Sequence, residues 1–107
     1  MASAKAKKIY EARAEIMKAL AHPLRLEIMD VLSKGGVCVE DIAGKAGAER
    51  SNVSRHLSVL ARAGLIERCK EGLKVYYSLK VPCVLNFFGC VEQVIRTQFN
   101  EAKALLG

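Results

Sequence analysis

The spacing of apolar residues changes period at Gly64, and this change limits the chain to few folds. Before Gly64, the apolar residues at positions i, i+4 and i+7 are Val53, Leu57 and Leu60. That spacing places them on one face of a helix, which we predict over about residues 51–63. After Gly64, the β-rich runs LIERCK and KVYYSLK are joined through residues 70–73, KEGL. The pattern therefore predicts a helix followed by a hairpin over about residues 65–80.

Three further helical patterns precede this unit. Residues 5–20 carry apolar residues at helical spacing until the His-Pro pair at 22–23 interrupts them. LRLEIMDVL predicts a second helix that ends at the Gly-Gly pair 35–36, and VCVEDIAGKAG predicts a short third helix closed by Gly47. Ser51 has the side chain expected of an N-cap at the start of the fourth helix.

Two short helices joined by a tight turn and followed by a two-stranded hairpin are typical of a winged helix-turn-helix. We therefore predict a mostly α fold with a two-stranded β wing, in a single domain over residues 1–107. A last helix over about residues 82–106 follows, with Pro82 at its start. Its apolar residues are Leu85, Phe88, Val91, Ile95 and Phe99, with Val84, Phe87 and Val94 beside them. This face is wider than one small core requires, so we expect a second subunit to cover it.

The composition excludes several classes of protein. Hydrophobic residues make up 51% of the 107, which excludes intrinsic disorder and leaves room for one core. No apolar run approaches the ~20 residues of a membrane span, and the N-terminal MASAKAKKIY lacks the apolar stretch of a signal peptide. We therefore expect no membrane partner. Four cysteines without a secretion signal favour a reducing, cytoplasmic location.

The net charge of +6 is concentrated in one part of the chain. Residues 50–80 hold seven Lys or Arg against two Glu, a local surplus of five positive charges. A solvated basic face is one interpretation of this surplus. Its concentration in one stretch favours a polyanion as partner.

Four segments of the chain resemble a known family of bacterial repressors, ArsR/SmtB. They are ALAHPLRLEIMDVL, VCVEDIA, SNVSRHLSVLARAGLI and KVYYSLK, in one unbroken order over roughly residues 15–90. The resemblance implies a two-fold dimer held by the first and last helices, which reads double-stranded DNA at an inverted-repeat operator. Half-sites would lie about one helical turn apart, roughly 10 bp.

The face of the fourth helix opposite its apolar side has the side chains that reading DNA requires. They are Ser51, Asn52, Ser54, Arg55 and Ser58. Asn can pair with adenine through two hydrogen bonds, Arg with guanine, and Ser with base edges or phosphate. We expect Arg62, Lys70 and Lys74 to flank the groove as phosphate contacts, which fix position without reading sequence.

Two positions near this face have a less direct interpretation. His56 follows V-S-x as in similar proteins, where a phosphate or sugar contact is expected; the alternative is a histidine wedged between helices. Similar proteins usually carry a basic residue straight after the wing glycine, whereas Leu73 follows Gly72 here. Lys74 is the nearest substitute for that missing charge.

Cys83 and Cys90 lie seven positions apart in the last helix, on one face and roughly 10 Å apart along the axis. That distance is too long for a disulfide or for two bonds to one ion. A shared site needs distortion near Gly89, a third thiol such as Cys38, or the partner's last helix. The alternative for each cysteine is a small buried hydrophobe, which is the stronger interpretation for Cys69.

Family resemblance implies that a soft metal, a metalloid or a sulfur species is sensed. The pair C-V-C of several relatives is reduced here to Cys38-Val39-Glu40, and the zinc ligands of other relatives are replaced by Val81, Cys83, Val94 and Thr97. The remaining thiols favour As(III) or a soft divalent metal as inducer, with no obligatory cofactor.

Two functions follow from these observations. The first is a repressor released from its operator by a thiol-reactive inducer at Cys83 and Cys90, with Cys38 nearby. The second is the same DNA-binding regulator with no cysteine effector site. A winged helix that binds protein alone would show no salt-dependent DNA affinity. An enzyme is not expected, since neither His22 nor His56 has an evident Cys partner.

Overall fold

The computed structural model describes residues 3–107, so the first two residues of the predicted domain and of MASAKAKKIY lie outside the described residues. The elements in chain order are α1 Ala4–Leu20, α2 Pro23–Leu32, β1 Val37–Cys38, α3 Val39–Ala46, α4 Arg50–Arg62, β2 Ile66–Glu71, β3 Lys74–Leu79 and α5 Val84–Leu106. The predicted mostly α fold with an antiparallel β wing is confirmed.

The break between α1 and α2 occurs at the His-Pro pair, as predicted. His22 is the N-cap of α2 in an extended conformation, and its Nδ1 accepts a hydrogen bond from the backbone N–H of Leu24 at 3.1 Å. Pro23 occupies the first helical position, where no intrahelical N–H donor is needed. The histidine therefore sets the point at which α2 begins.

The hydrophobic core lies between α2, α3 and α4. Its largest fully buried side chains are Ile28, Met29, Leu32, Ile42, Val53, Leu57 and Leu60. Each of these contributes about 1.5–3 kcal/mol by leaving water. The three residues predicted to form the apolar face of α4 are thus all in the core.

The turn between α3 and α4 differs from the prediction at one residue. Gly47 closes α3 in a left-handed conformation, with φ of 62°. Glu49, however, is the N-cap of α4, and no side-chain hydrogen bond caps this helix. The predicted cap at Ser51 is therefore wrong, because α4 begins one residue earlier, at Arg50, and Ser51 lies in its first turn.

The wing is part of a three-stranded sheet of order β1-β3-β2. β2 and β3 pair antiparallel from Ile66 opposite Leu79 to Glu71 opposite Lys74. The connection is therefore the two residues Gly72 and Leu73, shorter than the predicted segment 70–73. Gly72 has φ of 62°, while no residue other than glycine has a positive φ in the part of the chain that is described. This is the pattern of a type II′ turn.

The last helix contributes little to the hydrophobic core. α5 begins at Val84, two residues later than predicted, and none of its residues is buried. Only Val84 and Phe88 of α5 pack against the core cluster. The exposed apolar residues of α5 are Phe87, Val91, Val94, Ile95, Phe99, Leu105 and Leu106. Within residues 3–107, no helix is both long enough and apolar enough to cross a lipid bilayer.

Candidate nucleic-acid interface

The outward face of α4 carries the polar residues predicted to read bases. Ser51, Ser54, Arg55 and Ser58 are exposed, and Asn52 is half-buried. Arg55 Nη2 donates a hydrogen bond to Asn52 Oδ1 at 2.6 Å. This bond joins the two side chains best suited to adenine and guanine and holds them together one helical turn apart. The amide oxygen of Asn52 has a second lone pair and its NH2 group is not used in this bond, so Asn52 can pair with adenine while it still accepts from Arg55.

The hydroxyl of Ser58 is engaged within the helix. Ser58 Oγ donates to the backbone oxygen of Ser54 at 3.1 Å, and Arg62 Nε donates to the backbone oxygen of Ser58 at 3.4 Å. The oxygen of the Ser58 hydroxyl can still accept a hydrogen bond. Arg62 is exposed in the last turn of α4, so it lies at the far end of the base-reading face.

The predicted phosphate contacts on the wing are exposed, but they are not equivalent. Lys70 lies opposite Val75, whereas Lys74 lies opposite Glu71. Lys74 also lies close to Glu40, whose pKa is lowered mainly by a backbone hydrogen bond and to a smaller extent by Arg50, Cys38 and Lys74. Lys74 therefore has two carboxylates in its neighbourhood, although it forms no ion pair within residues 3–107.

An acidic residue stands at the N-terminus of α4. Glu49 is the N-cap, and Arg50 in the first turn pairs with Glu40 of α3 at 3.0 Å. Both features reduce the attraction of this helix end for phosphate. The positive charge available to DNA therefore comes from side chains farther along the helix and on the wing.

His56 lies between helices, in the position that the second interpretation anticipated. Its ring centroid is 4.3 Å from that of His22, and its Nδ1 accepts a hydrogen bond from Arg25 Nε at 3.0 Å. Burial lowers the pKa of His56 below its ordinary value, and the charges of His22, Arg25 and Arg55 lower it further. A DNA contact through the other ring nitrogen remains a prediction.

Sequence reasoning missed Arg25. Besides its bond to His56, its Nη1 lies 3.4 Å from the backbone oxygen of Lys18 and 3.3 Å from that of Ala19, at the end of α1. One side chain thus joins α1, α2 and α4. The only signal was its place one helical turn after His22, at the start of α2.

The four cysteines are free and do not gather at one place. Cys38 is buried in β1 opposite Tyr76, and Cys69 is exposed in β2 opposite the same tyrosine. Strands lie about 4.8 Å apart, so these two thiols are separated by roughly 10 Å, too far for a disulfide. In residues 3–107, no three side chains of His, Cys, Asp or Glu are arranged to hold a metal ion.

The predicted pair in the last helix is altered at one member. Cys83 is the N-cap of α5 and not a residue of its body. Its φ of −61° and ψ of −19° are still helical, so the separation of roughly two turns from Cys90 holds. Both thiols are exposed. Cys38 lies in the sheet, where it lines a cleft with Glu40 and Arg50; neither Cys83 nor Cys90 lines that cleft.

Comparison with known proteins identifies the family. Residues 22–68, from the N-cap of α2 to the first half of β2, match the family described as bacterial regulatory protein, arsR family. The chain is also 31% identical over 99 residues to the uncharacterized HTH-type transcriptional regulator Rv0081 of Mycobacterium tuberculosis, across 92% of this chain and 87% of that protein. The chain belongs to the ArsR/SmtB family.

Two solved structures are similar to this ArsR/SmtB protein along most of its length. One is the homodimeric winged helix-turn-helix DNA-binding domain of Mb0332 from Mycobacterium bovis, with TM-score 0.80, 31% identity and coverage of 94% and 93%. The other is NolR from Sinorhizobium fredii, with TM-score 0.79, 30% identity and coverage of 88% and 94%. The predictions of a transcriptional regulator and of a chain that is not an enzyme are confirmed.

Proposed function

We propose that this ArsR/SmtB protein is a sequence-specific DNA-binding repressor, acting in the cytoplasm as a homodimer on an inverted-repeat operator. The observation that carries the proposal is the Arg55–Asn52 pair on the exposed face of α4, bonded at 2.6 Å. Arg55 would contact guanine and Asn52 adenine in the major groove, while Arg62 and Lys70 contact the flanking phosphates. With half-sites about 10 bp apart, two copies would read one face of the duplex.

The apolar face of α5 supports the dimer. Val94, Ile95 and Phe99 are 57–67% exposed, and α5 buries none of its residues within one chain. An open groove of about 330 Å³ separates α5 from the end of α1 and from α2, and Leu20, Phe88 and Ile95 line it. The Mb0332 domain, which is described as homodimeric, has the same fold. A second copy of α5 would cover this face.

Binding to operator DNA selected by the wild-type protein from a random-sequence pool tests the proposal directly. We expect Asn52→Ala and Arg55→Ala each to relax discrimination at one base pair, at a cost of about 1–3 kcal/mol. Arg96→Ala removes an exposed arginine from α5 and serves as the matched control, which should keep wild-type discrimination. If both α4 variants discriminate between sequences as the wild type does, α4 is not the reader.

We further propose that a thiol-reactive inducer lowers the affinity for the operator. Candidates are arsenite, another soft metal or metalloid ion, and a reactive sulfur or redox signal. Exposure of Cys83 and Cys90 supports access of the inducer to both thiols. Since one chain gathers no three-ligand site among residues 3–107, the ion would be shared between the α5 helices of two subunits. A ligand that reshapes α5 would shift the two copies of α4 relative to each other.

The alternative is a DNA-binding regulator without a cysteine effector site. The scattered thiols favour it, because Cys38 and Cys69 lie in the sheet and the other two on α5. Operator affinity measured with and without arsenite, cadmium or polysulfide separates the two. If the inducer proposal is right, the inducer weakens the operator complex of the wild type and of Cys69→Ser. It leaves the complexes of Cys83→Ser and Cys90→Ser unchanged. Equal affinity in every titration favours the alternative.

A further inference from the structure

A cleft lies between the start of α2 and one side of α4, next to the base-reading face. Its volume is about 370 Å³, and it is lined by His22, Arg25, Asn52, Arg55, His56 and Val59. The lining includes two arginines and two histidines, and no Asp or Glu among the described residues. A cleft with this set of side chains offers hydrogen-bond donors and positive charge, which suits an oxyanion.

Hydrogen bonds fix the guanidinium of Arg25 in the lining of the cleft. Its Nε is bonded to His56, and its Nη1 faces two backbone oxygens of α1. Within residues 3–107 the ion pairs are Lys18–Glu15 and Arg50–Glu40, so no carboxylate offsets the charge of Arg25. Its Nη2 makes no hydrogen bond to any described residue. A guanidinium held in this way is preorganised to receive an anion.

The two histidines add donors without adding charge. Arginine can only donate, so the bond from Arg25 requires His56 Nδ1 to carry no hydrogen, which places the hydrogen of the neutral ring on Nε2. His22 Nδ1 is likewise occupied as acceptor for the N–H of Leu24. Each neutral ring therefore keeps one free donor, Nε2–H. Burial, which lowers the pKa of His56, favours this neutral state.

The position of the cleft indicates where its anion comes from. Asn52, Arg55, His56 and Val59 follow one another at i, i+3, i+4 and i+7, so the cleft borders the face of α4 that would enter the major groove. The backbone of DNA runs along the edge of that groove. Building on the DNA-binding function proposed above, we propose that this cleft binds one phosphate of the operator backbone, with Arg25 supplying the charge and the Nε2–H groups of His22 and His56 donating to its oxygens.

The salt dependence of operator binding distinguishes a phosphate contact from a merely structural role. Arg25→Gln should weaken binding roughly 10-fold and reduce the slope of log K against log salt by about 0.9. Arg25→Lys keeps the charge and should keep the slope. Lys34→Gln is the matched control, because it removes one exposed charge beyond the opposite end of α2. A slope that is unchanged in Arg25→Gln, or reduced equally in Lys34→Gln, overturns the proposal.

A second variant tests the histidine donors without altering the charge or the helix start. In His22→Asn, the amide oxygen can still cap α2 by accepting from Leu24, while the Nε2–H donor is lost. We expect an unchanged melting temperature, an unchanged salt slope and operator binding weaker by roughly 5-fold. Wild-type affinity in this variant contradicts the role of His22 in the cleft.

Titration with inorganic phosphate separates the two sources of the anion. The histidine ring signals of the free protein are followed by NMR as millimolar phosphate is added, and then as operator DNA is added. If phosphate shifts the histidine ring signals and operator DNA then reverses those shifts, the proposal is supported. Shifts caused by phosphate, together with wild-type DNA binding in Arg25→Gln, assign the cleft to a free anion and overturn it. Loss of sequence discrimination is measured separately with Arg55→Ala, so failure of the cleft leaves the reading of bases by α4 untouched.

Discussion

The α2–α4 unit and α5 are both rich in large apolar residues, but these are mostly buried in the α2–α4 unit and mostly exposed in α5. In α2–α4, seven large side chains have almost no contact with solvent. In α5, which has 23 residues, none is buried, although seven large apolar residues of this helix are exposed. The first unit therefore completes its core within one chain, whereas α5 depends on contacts that one chain does not supply.

This difference separates folding from association of two copies, two properties that usually change together. Folding of the DNA-reading unit depends on contacts inside one chain, since α4 packs against both α2 and α3. In the proposed dimer, the spacing of the two α4 helices depends on α5 and its partner. Mutations in the two regions should consequently affect different measurements.

The largest effect is expected in the core. Leu57→Ala removes a fully buried side chain of α4 and should lower the free energy of unfolding by about 2–5 kcal/mol, a large part of the total for a domain of this size. Chemical denaturation followed by circular dichroism measures the loss. The matched control is Leu105→Ala on α5, where the side chain is exposed and the change should stay within about 0.5 kcal/mol. Similar losses in both variants would erase the contrast between the two regions.

The second effect concerns association and not folding. Ile95 is 59% exposed on α5 and lines the groove beside α1 and α2. Ile95→Glu should raise the dimer dissociation constant roughly 100-fold, a loss of about 2–3 kcal/mol, because a charge would be buried in the interface. Sedimentation velocity over a range of concentrations measures this. Leu106→Glu, at the exposed end of the same helix, should dimerise normally. A dimer unaffected by Ile95→Glu would place the interface elsewhere.

The sequence predicted the parts of this structure whose signals are local and periodic. The apolar residues of α4, the His-Pro break, the Gly47 stop and the hairpin were all visible as spacing or turn chemistry. β1 was missed, because two residues carry no period and this strand exists only through its pairing with β3. The residue type of Ser51 predicts the cap of α4 there, whereas Glu49 is the N-cap and the helix begins at Arg50 without a side-chain cap.

The candidate site was predictable to the same extent. Exposure of Ser51, Arg55 and Ser58 followed from helical geometry once the buried face was known. The contact between His56 and Arg25 joins residues 31 positions apart, and no spacing rule reaches that far. The cysteines show the same limit. Helical spacing places Cys83 and Cys90 on one face of the last helix, but it gives no distance from them to a third thiol.

A smaller effect is expected at the wing, which carries an exposed apolar residue that needs no partner. Leu73 is fully exposed at the tip of the type II′ turn, as an isolated side chain and not as part of a face. Leu73→Lys restores the basic residue that similar proteins carry after the wing glycine. We expect unchanged unfolding, DNA binding tighter by roughly 2- to 5-fold and a salt slope steeper by up to about 0.9. Leu73→Gln is the neutral control, and an equal gain with glutamine would exclude a phosphate contact.

The smallest effect lies at the edge of the buried unit, where acid should weaken the contact between α2 and α4. The pKa of His56 is lowered by burial and by the charges of His22 and Arg25 from α2 and of Arg55 from its own helix. The unfolded chain therefore binds this proton more readily than the folded one. The stabilisation is complete above the ordinary value of 6.5 and is lost as the pH falls through the lower pKa of the folded state. Urea unfolding at about pH 7.5 and pH 5 should show a smaller loss in His56→Gln than in the wild type. His22→Asn keeps the ring of His56, so this variant should still lose part of its stability at pH 5. If wild type and His56→Gln lose equal stability between the two pH values, acid acts at another group and α4 is held by its apolar face alone.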